Sequence, residues 1–284
     1  MVKNTVCVIG GDLRQKRLCE LLLKDGYTVK TIGLFEDDSD LSPLKSADIA
    51  VFPMPMSFDN VYINAPFSKK QIAMHSVLEA LPDGCFVLGG RISKETEDAL
   101  TKRGLKFADY YKREELIVKN AIPTAEGALE IAFSELPITI FGSKSLVIGY
   151  GRVGKVMAKK LRALESDVTV SARKYADFAW IEEGGMNAIH TEDLPVFAGN
   201  FDLIINTVPA MILTEEVLKR VRDDALIIDL ASKPGGVDFG SAKRLSRNVI
   251  WALSLPGKTS PVTSGEIIKE AITNILEETG VLDE

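Results

Sequence analysis

The chain has 284 residues, of which 46% are apolar, so it can bury a sizeable core in two domains or in one large domain. Its formal net charge of -6 argues against binding to nucleic acid, and no run approaches the roughly 18 apolar residues of a membrane span. The three cysteines lie far apart and no leader segment precedes the first apolar run. Together these features predict a reduced, cytoplasmic protein without a disulfide framework or a bound metal.

Short β-rich runs alternate with helical runs along the chain, a pattern typical of an α/β fold with parallel sheets. In the first half, strands are predicted at TVCVIGG, YTVKTIG, IAVFP and CFVLGG, with an amphipathic helix at RQKRLCELLLKDG. In the second half, strands are predicted at SLVIGYG, DVTVSAR, FDLIINTVP, ALIIDLAS and NVIWALSLPG, with a helix at KVMAKKLRALES. We therefore expect two Rossmann-like domains.

Two helical segments fit neither half, namely TAEGALEIAFSEL at 124–136 and SGEIIKEAITNILEE at 264–278. We interpret them as linker helices that join the two domains. This interpretation predicts a substrate-side domain formed by residues 1–123 plus 264–284. It predicts a second Rossmann-like domain, with one linker helix at its start, at residues 124–263.

The glycine pattern GYGRVG follows an apolar strand and opens a helix, which is the context that a dinucleotide-binding turn requires. Gly149 permits the tight turn, Gly151 lets the backbone approach a pyrophosphate, and Gly154 lets helix and strand pack closely. The helix N-terminus then offers N–H groups to the phosphates. The alternative is a purely structural turn. The predicted cofactor contacts at this turn are Gly149, Tyr150, Gly151, Arg152, Val153 and Gly154.

The next strand ends in Ser171, Ala172 and Arg173, followed by Lys174, at the place where an NAD-binding chain usually carries a carboxylate for the ribose. A hydroxyl and positive charge suit the 2′-phosphate of NADP instead, because a guanidinium binds phosphate bidentately. Ser171, Arg173 and Lys174 therefore predict NADP, with NAD as the open alternative. A solvated loop paired with Asp177 would also explain the two cations.

The first half carries GGDLRQ, where the charge of Asp12 argues against a second dinucleotide site. Asp12 is interpreted as the N-cap of the following helix and as a substrate neighbour. Arg14 and Gln15 are predicted to point toward an interdomain cleft, where a cationic fork suits a carboxylate substrate. A plain solvated first turn is the alternative for these residues.

The later strands of the second half end in INTVP and DLASKPGG. Asn206, Thr207 and Pro209 are predicted to wall the nicotinamide ribose, and Ser232 and Lys233 to reach an anionic substrate. Because of its glycine, proline and hydroxyl content, LPGKTSPVTSGE is predicted to be a loop over the cleft or a linker.

Histidine is scarce, since only His75 and His190 occur, and neither is expected near the nicotinamide. This argues against simple alcohol oxidation, which usually needs a histidine base. Glu126 in IPTAEG is the candidate base, with Thr124 beside it as a substrate contact. The alternative is an ordinary acidic residue in a helix first turn with Thr124 as N-cap.

Seven segments resemble, in order and over nearly the full chain, the A subunit of bacterial dipicolinate synthase. They are GGDLRQ, IPTAEG, GYGRVG, SAR, INTVP, DLASKPGGVDF and LPGKTSPVTSG. The resemblance implies an enzyme that oxidises dihydrodipicolinate, or its hydrated precursor, to dipicolinate with NAD(P)+ in the mother-cell cytoplasm during sporulation. It also implies a small dicarboxylate substrate and a flavoprotein-like partner, the B subunit of the synthase. Glu126 and Lys233 are then the catalytic candidates.

Two other functions are compatible with the sequence. One is an NADP-binding subunit that supports catalysis by a partner flavoprotein, and the other is a different oxidoreductase acting on a small carboxylate substrate. For any of these functions we expect a homo-oligomer.

Overall fold

The computed structural model describes residues 4–35 and 39–281, and the chain divides into two compact units. One unit lies within Met1–Asn120 and Ser260–Glu284, and the other is Ala121–Thr259. Each unit contains one sheet whose described strands all pair in parallel. The predicted α/β class with two parallel sheets is confirmed.

The first unit has a five-stranded sheet in the order β2-β1-β3-β4-β5. Its elements up to the unit boundary are β1 (Thr5–Ile9), α1 (Leu13–Lys24), β2 (Thr28–Ile32), β3 (Ile49–Val51), α2 (Met74–Ala80), β4 (Phe86–Gly89), α3 (Lys94–Lys102), β5 (Phe107–Asp109) and the start of α4 (Glu114–Glu135). The apolar run of β1 is buried on both faces, because Val6 and Val8 enter one hydrophobic cluster while Cys7 and Ile9 enter another.

The second unit has a six-stranded sheet in the order β11-β10-β9-β6-β7-β8. Its elements are β6 (Lys144–Ile148), α5 (Arg152–Ala163), β7 (Asp167–Ala172), α6 (Tyr175–Glu183), β8 (Asn187–His190), α7 (Leu194–Phe197), β9 (Leu203–Asn206), α8 (Glu215–Leu218), β10 (Leu226–Asp229), α9 (Phe239–Arg244), β11 (Asn248–Trp251) and α10 (Leu255–Thr259). When β6 to β11 are counted as strands 1 to 6 and the sheet is read from β8, the order is 3-2-1-4-5-6, which is that of a Rossmann dinucleotide-binding fold.

The helices at the sequence borders differ from their predicted limits. Helix α4 begins at Glu114, so Thr124 lies inside the helix after Pro123 and is not an N-cap. The segment LPGKTSPVTSGE is not a loop, since it forms α10 and the start of α11 (Pro261–Glu278). Proline is well tolerated in a first helical turn, and Pro261 lies there. The prediction of a loop was therefore wrong, because a proline in the first turn of a helix does not interrupt the helix.

Strands β5 and β8 have no counterpart among the predicted strands. Both are edge strands of three or four residues. Each is only partly buried and lacks the continuous apolar run of a central parallel strand.

The structure also describes the surroundings of the three cysteines and the hydropathy of the helices. Cys7, Cys19 and Cys85 are buried, and burial raises the pKa of Cys19 and of Cys85 to about 12. Among the described residues, no helix is long and apolar enough to cross a membrane.

Helix α11 completes the core of the first unit by packing on α1 and on the sheet face that carries Val6 and Val8. Its buried residues include Ile267, Ile268, Ala271, Ile272, Ile275 and Leu276. The two helices meet closely at Gly265, where an added Cβ would lie 2.8 Å from the carbonyl oxygen of Arg14 and 2.7 Å from Cβ of Arg17.

We predict that Gly265→Ala destabilises the protein by about 1–3 kcal/mol, because the backbone of α1 cannot move away without disturbing the core. Thermal unfolding should then begin several degrees lower than in the wild type. The control is Glu266→Ala, which removes only an exposed ion pair with Arg17 and should cost less than about 1 kcal/mol. Equal unfolding temperatures for Gly265→Ala and the wild type would contradict the close packing of α1 and α11.

Candidate functional site

A tight glycine turn joins β6 to α5. Gly149 has a φ of +94°, and its N–H donates a 2.9 Å hydrogen bond to the carbonyl oxygen of Ser171 on β7. A side chain at Gly154 would clash with the carbonyl oxygen of Gly149, and one at Gly149 would meet Val208. Glycine at both positions is therefore needed for the turn itself.

Gly151 differs from the other two glycines, because no described atom beyond its two adjoining residues lies within 4 Å of the position that its Cβ would take. It is the N-cap of α5, and no side chain caps this helix end. The turn follows β6, which lies between β7 and β9, so it lies where the strand order reverses. Open space beside uncapped helix N–H groups at this switch point fits a nucleotide pyrophosphate.

The other residues of GYGRVG contribute differently. The side chain of Tyr150 is partly buried and packs against the hydrophobic cluster that includes Met157 and Leu161 of α5. Its pKa is raised by burial and by the nearby charges of Asp177 and Glu183. Arg152 is exposed and Val153 is half-buried at the start of α5. The side chain of Tyr150 is therefore partly used in packing, and its role as a cofactor contact stays a prediction.

The end of β7 separates a buried hydroxyl from two exposed cations. Ser171 is fully buried, and its Oγ lies 3.5 Å from Oγ1 of Thr191, so its side chain presents no surface to a ligand. This corrects the predicted role of Ser171 in cofactor binding. Arg173 and Lys174 are exposed, and within residues 4–35 and 39–281 neither forms an ion pair, including with Asp177.

Asp229 at the end of β10 is fully buried and organises the neighbouring loop. Its Oδ1 accepts hydrogen bonds from Nδ2 of Asn206 at 2.8 Å and from the N–H of Ala231 at 3.0 Å. Its Oδ2 accepts from the N–H of Gly236 at 2.9 Å. Buried donors and acceptors that are satisfied in this way hold a loop in one conformation.

This network changes the interpretation of INTVP. Asn206 is fully buried and its amide is used by Asp229 and Val208, so its side chain does not wall a ribose. Thr207 is half-buried and donates its hydroxyl to the carbonyl oxygen of Ile148 at 2.8 Å. Pro209 is exposed. Thr207 and Pro209 stay candidates for cofactor contacts.

Ser232 and Lys233 lie on the loop that Asp229 anchors, and both are exposed. The loop is further fixed by Trp251, whose indole N–H donates to the carbonyl oxygen of Ala231 at 2.9 Å. In the described part of the chain, Lys233 forms no ion pair. A rigid loop therefore presents an uncompensated cation beyond the end of β10.

In the GGDLRQ segment, by contrast with the Lys233 loop, the cationic side chain already has a carboxylate partner. Asp12 caps α1 as predicted and also binds Arg14 through an ion pair of 2.8 Å. Arg14 is buried and donates to the carbonyl oxygen of Met54 at 2.8 Å. Gln15 is fully buried, and its Oε1 accepts from the N–H of Asp12 at 3.2 Å. Arg14 is therefore neutralised and Gln15 covered, which corrects the prediction that they form a free carboxylate fork.

Glu126 also lies elsewhere than predicted. It is exposed on α4 and forms an ion pair of 2.7 Å with Lys160. Lys160 lies about 12 Å along α5 from Arg152 at the glycine turn, given the helical rise per residue. This distance argues against Glu126 as the proton acceptor. Thr124 is half-buried within α4.

The rings of His190 and Tyr175 are in contact at the end of the sheet, although the sequence alone indicates neither residue as part of a site. His190 ends β8 directly opposite Ala172 of β7, so it lies beside the predicted cofactor end of the sheet. Its ring contacts Phe178 and Tyr175. The missing signal was β8 itself, because without that strand His190 has no place in the sheet. His75 is exposed on α2.

The fold and the glycine turn define a class, namely two-unit α/β proteins in which one unit has Rossmann topology with a dinucleotide-binding turn at the switch point. Residues 5–111 match the family model of the N-terminal domain of the dipicolinate synthase A subunit. The A subunit of dipicolinate synthase from Bacillus subtilis is 30% identical in an alignment of 284 positions that covers 96% of each chain. The chain therefore belongs to the family of dipicolinate synthase A subunits.

Solved structures agree with this assignment. The A subunit of dipicolinate synthase from Bacillus halodurans has a TM-score of 0.88 at 29% identity, covering 97% of this chain and 99% of that one. The D-lactate dehydrogenase of Escherichia coli has a TM-score of 0.63 at 15% identity, covering 97% of each chain. The second similarity shows a shared dehydrogenase-type fold.

We predict opposite effects for two substitutions in the glycine turn. Gly151→Ala should unfold at nearly the wild-type temperature, because its methyl group enters open space, yet bind a nicotinamide dinucleotide at least tenfold more weakly. Gly154→Ala should lower the unfolding temperature by several degrees, because its methyl group meets the carbonyl of Gly149. Thermal unfolding and calorimetric titration check both. If Gly151→Ala binds the dinucleotide with unchanged affinity, the placement of the pyrophosphate at this turn is contradicted.

Proposed function

We propose that this chain is an NAD(P)-dependent dehydrogenase of dipicolinate synthesis, which converts dihydrodipicolinate, or its hydrated precursor, to dipicolinate. The observation that carries the proposal is the open, uncapped glycine turn at the switch point of a Rossmann unit, in a chain of the dipicolinate synthase family described above. The dehydrogenase-type fold supports a nicotinamide cofactor.

NADP is the proposed cofactor. Arg173 and Lys174 place two exposed cations at the end of β7, and no carboxylate of the described residues pairs with them. A 2′-phosphate would be attracted to these cations, whereas the ribose hydroxyls of NAD gain little from them. Gly149, Gly151 and Gly154, with the first N–H groups of α5, would hold the pyrophosphate.

The chemistry proposed for the chain is binding and orientation. NADP+, when bound, would supply the acceptor for the hydride that a ring carbon of the substrate loses. The accompanying proton would pass to solvent, because formation of an aromatic ring favours its loss, and the hydrated precursor would in addition lose one water molecule. Lys233, presented on the loop fixed by Asp229, would bind a substrate carboxylate, with Ser232 beside it as a hydrogen-bond partner. Thr207 and Pro209 would border the nicotinamide ribose.

A partner protein and a cellular setting are also part of the proposal. The Bacillus relatives are named as the A subunit of their synthase, which supports a second component, the B subunit. We propose that the chain works with that flavoprotein-like partner in the mother-cell cytoplasm during sporulation, as a homo-oligomer.

The deciding experiment is a coupled assay. Dihydrodipicolinate is generated in situ from aspartate semialdehyde and pyruvate by its synthase, and this chain is added with NADP+ or NAD+, with and without the flavoprotein-like partner. Terbium luminescence follows dipicolinate. Product from this chain alone is the expected result. Product only with the partner would favour a cofactor-binding role, and no product from folded, NADP-binding protein would point to another carboxylate substrate.

We predict that Arg173→Ala weakens NADP binding about 10- to 100-fold and leaves NAD binding nearly unchanged, because a charge-assisted contact to the 2′-phosphate is lost. Calorimetric titration of both cofactors measures the difference. Lys159→Ala is the control, since Lys159 is an exposed lysine of α5 that follows the glycine turn by about two helical turns. Equal losses for NADP and NAD would count against the role of Arg173.

A further inference from the structure

We propose that Tyr175 is a further contact for the 2′-phosphate of NADP, and that His190 is the positioning residue that holds its ring in place. The inference rests on the proposed NADP preference and extends the site from β7 to α6 and β8. Neither residue belongs to the glycine turn or to the basic pair Arg173 and Lys174.

The backbone places Tyr175 close to the basic pair. Tyr175 is the first residue of α6 and follows Arg173 by two residues, so their Cα atoms are at most about 7 Å apart. His190 lies on the neighbouring strand β8, where it pairs with Ala172, the last residue of β7. Ligands of open parallel sheets bind beyond these carboxyl ends of the strands.

Tyr175 is unusual for an aromatic residue because 79% of its surface is exposed, although its ring contacts two others. Its ring lies edge-on to His190, with centroids 5.5 Å apart and planes at 84°. It is also edge-on to Phe178 at 6.1 Å, and Phe178 contacts His190 at 4.5 Å. Edge-to-face contacts of this kind fix ring orientation without covering the hydroxyl.

Two exposed cations on the segment that leads into α6 attract an anion, although the acidic residues Glu192 and Asp193 follow His190 in the chain. Arg173 and Lys174 are exposed cations at the start of the same segment. Asp177, the acidic residue in the first turn of α6, lies toward Tyr150, whose pKa is raised by burial and then by this carboxylate. A phenol hydroxyl on the same short segment as two cations would donate to a phosphate oxygen that those cations attract, and preorganisation of its ring would lower the entropy lost on binding.

The test uses calorimetric titration with adenosine 2′,5′-bisphosphate, 5′-AMP, NADP and NAD. Tyr175→Phe keeps the ring contacts and removes the hydroxyl, and it should bind adenosine 2′,5′-bisphosphate and NADP about tenfold more weakly with 5′-AMP and NAD unchanged. His190→Ala should cause a smaller loss of the same kind. His190→Phe should restore affinity, because a ring again supports Tyr175. Trp180→Ala, an exposed aromatic of the same helix, is the matched control.

Wild-type affinity in Tyr175→Phe, or equal losses for all four ligands, would overturn the phosphate contact. Failure of His190→Phe to recover what His190→Ala loses would overturn the positioning role. A wild type that binds adenosine 2′,5′-bisphosphate no better than 5′-AMP would overturn the inference as well. The dehydrogenase function is judged separately, because dipicolinate formation with either cofactor does not depend on this selectivity.

Discussion

The second unit depends on the close approach of Gly154 to the carbonyl oxygen of Gly149. This approach lets α5 start immediately after β6, so that the first N–H groups of the helix point beyond the sheet at its switch point. The hydrogen bond from Gly149 to Ser171 ties the same turn to β7. The turn therefore fixes both the pyrophosphate end and, through β7, the position of the basic residues that follow.

Two kinds of charged residue are distinguished by their partners rather than by their type. Arg14 is buried, bound by Asp12 and by the carbonyl of Met54, so its charge supports the first unit. Arg173 and Lys233 are exposed at the ends of strands of the second unit. Cations that lack a carboxylate partner among the described residues are the ones that an anionic ligand can use.

The sequence predicts the fold class, the central strands and the glycine turn, because each is encoded locally by apolar runs and glycine spacing. It also predicts that Arg173 and Lys233 are accessible cations, because each follows the end of a predicted strand. It misplaces Arg14, Ser171, Asn206 and Glu126, whose roles depend on partners distant in sequence. Residue type shows which chemistry a side chain can perform, but only the tertiary structure shows whether that chemistry is already used.

The return of α11 to the first unit has a consequence for folding. One face of the N-terminal sheet, including Val6 and Val8, is covered by Ile267 and Ile268 of a helix that follows the whole second unit in the chain. During synthesis the contiguous second unit emerges with all of its own strands, whereas the first unit must wait for α11. Such long-range contacts slow folding, so the N-terminal core is completed last although its sequence is made first.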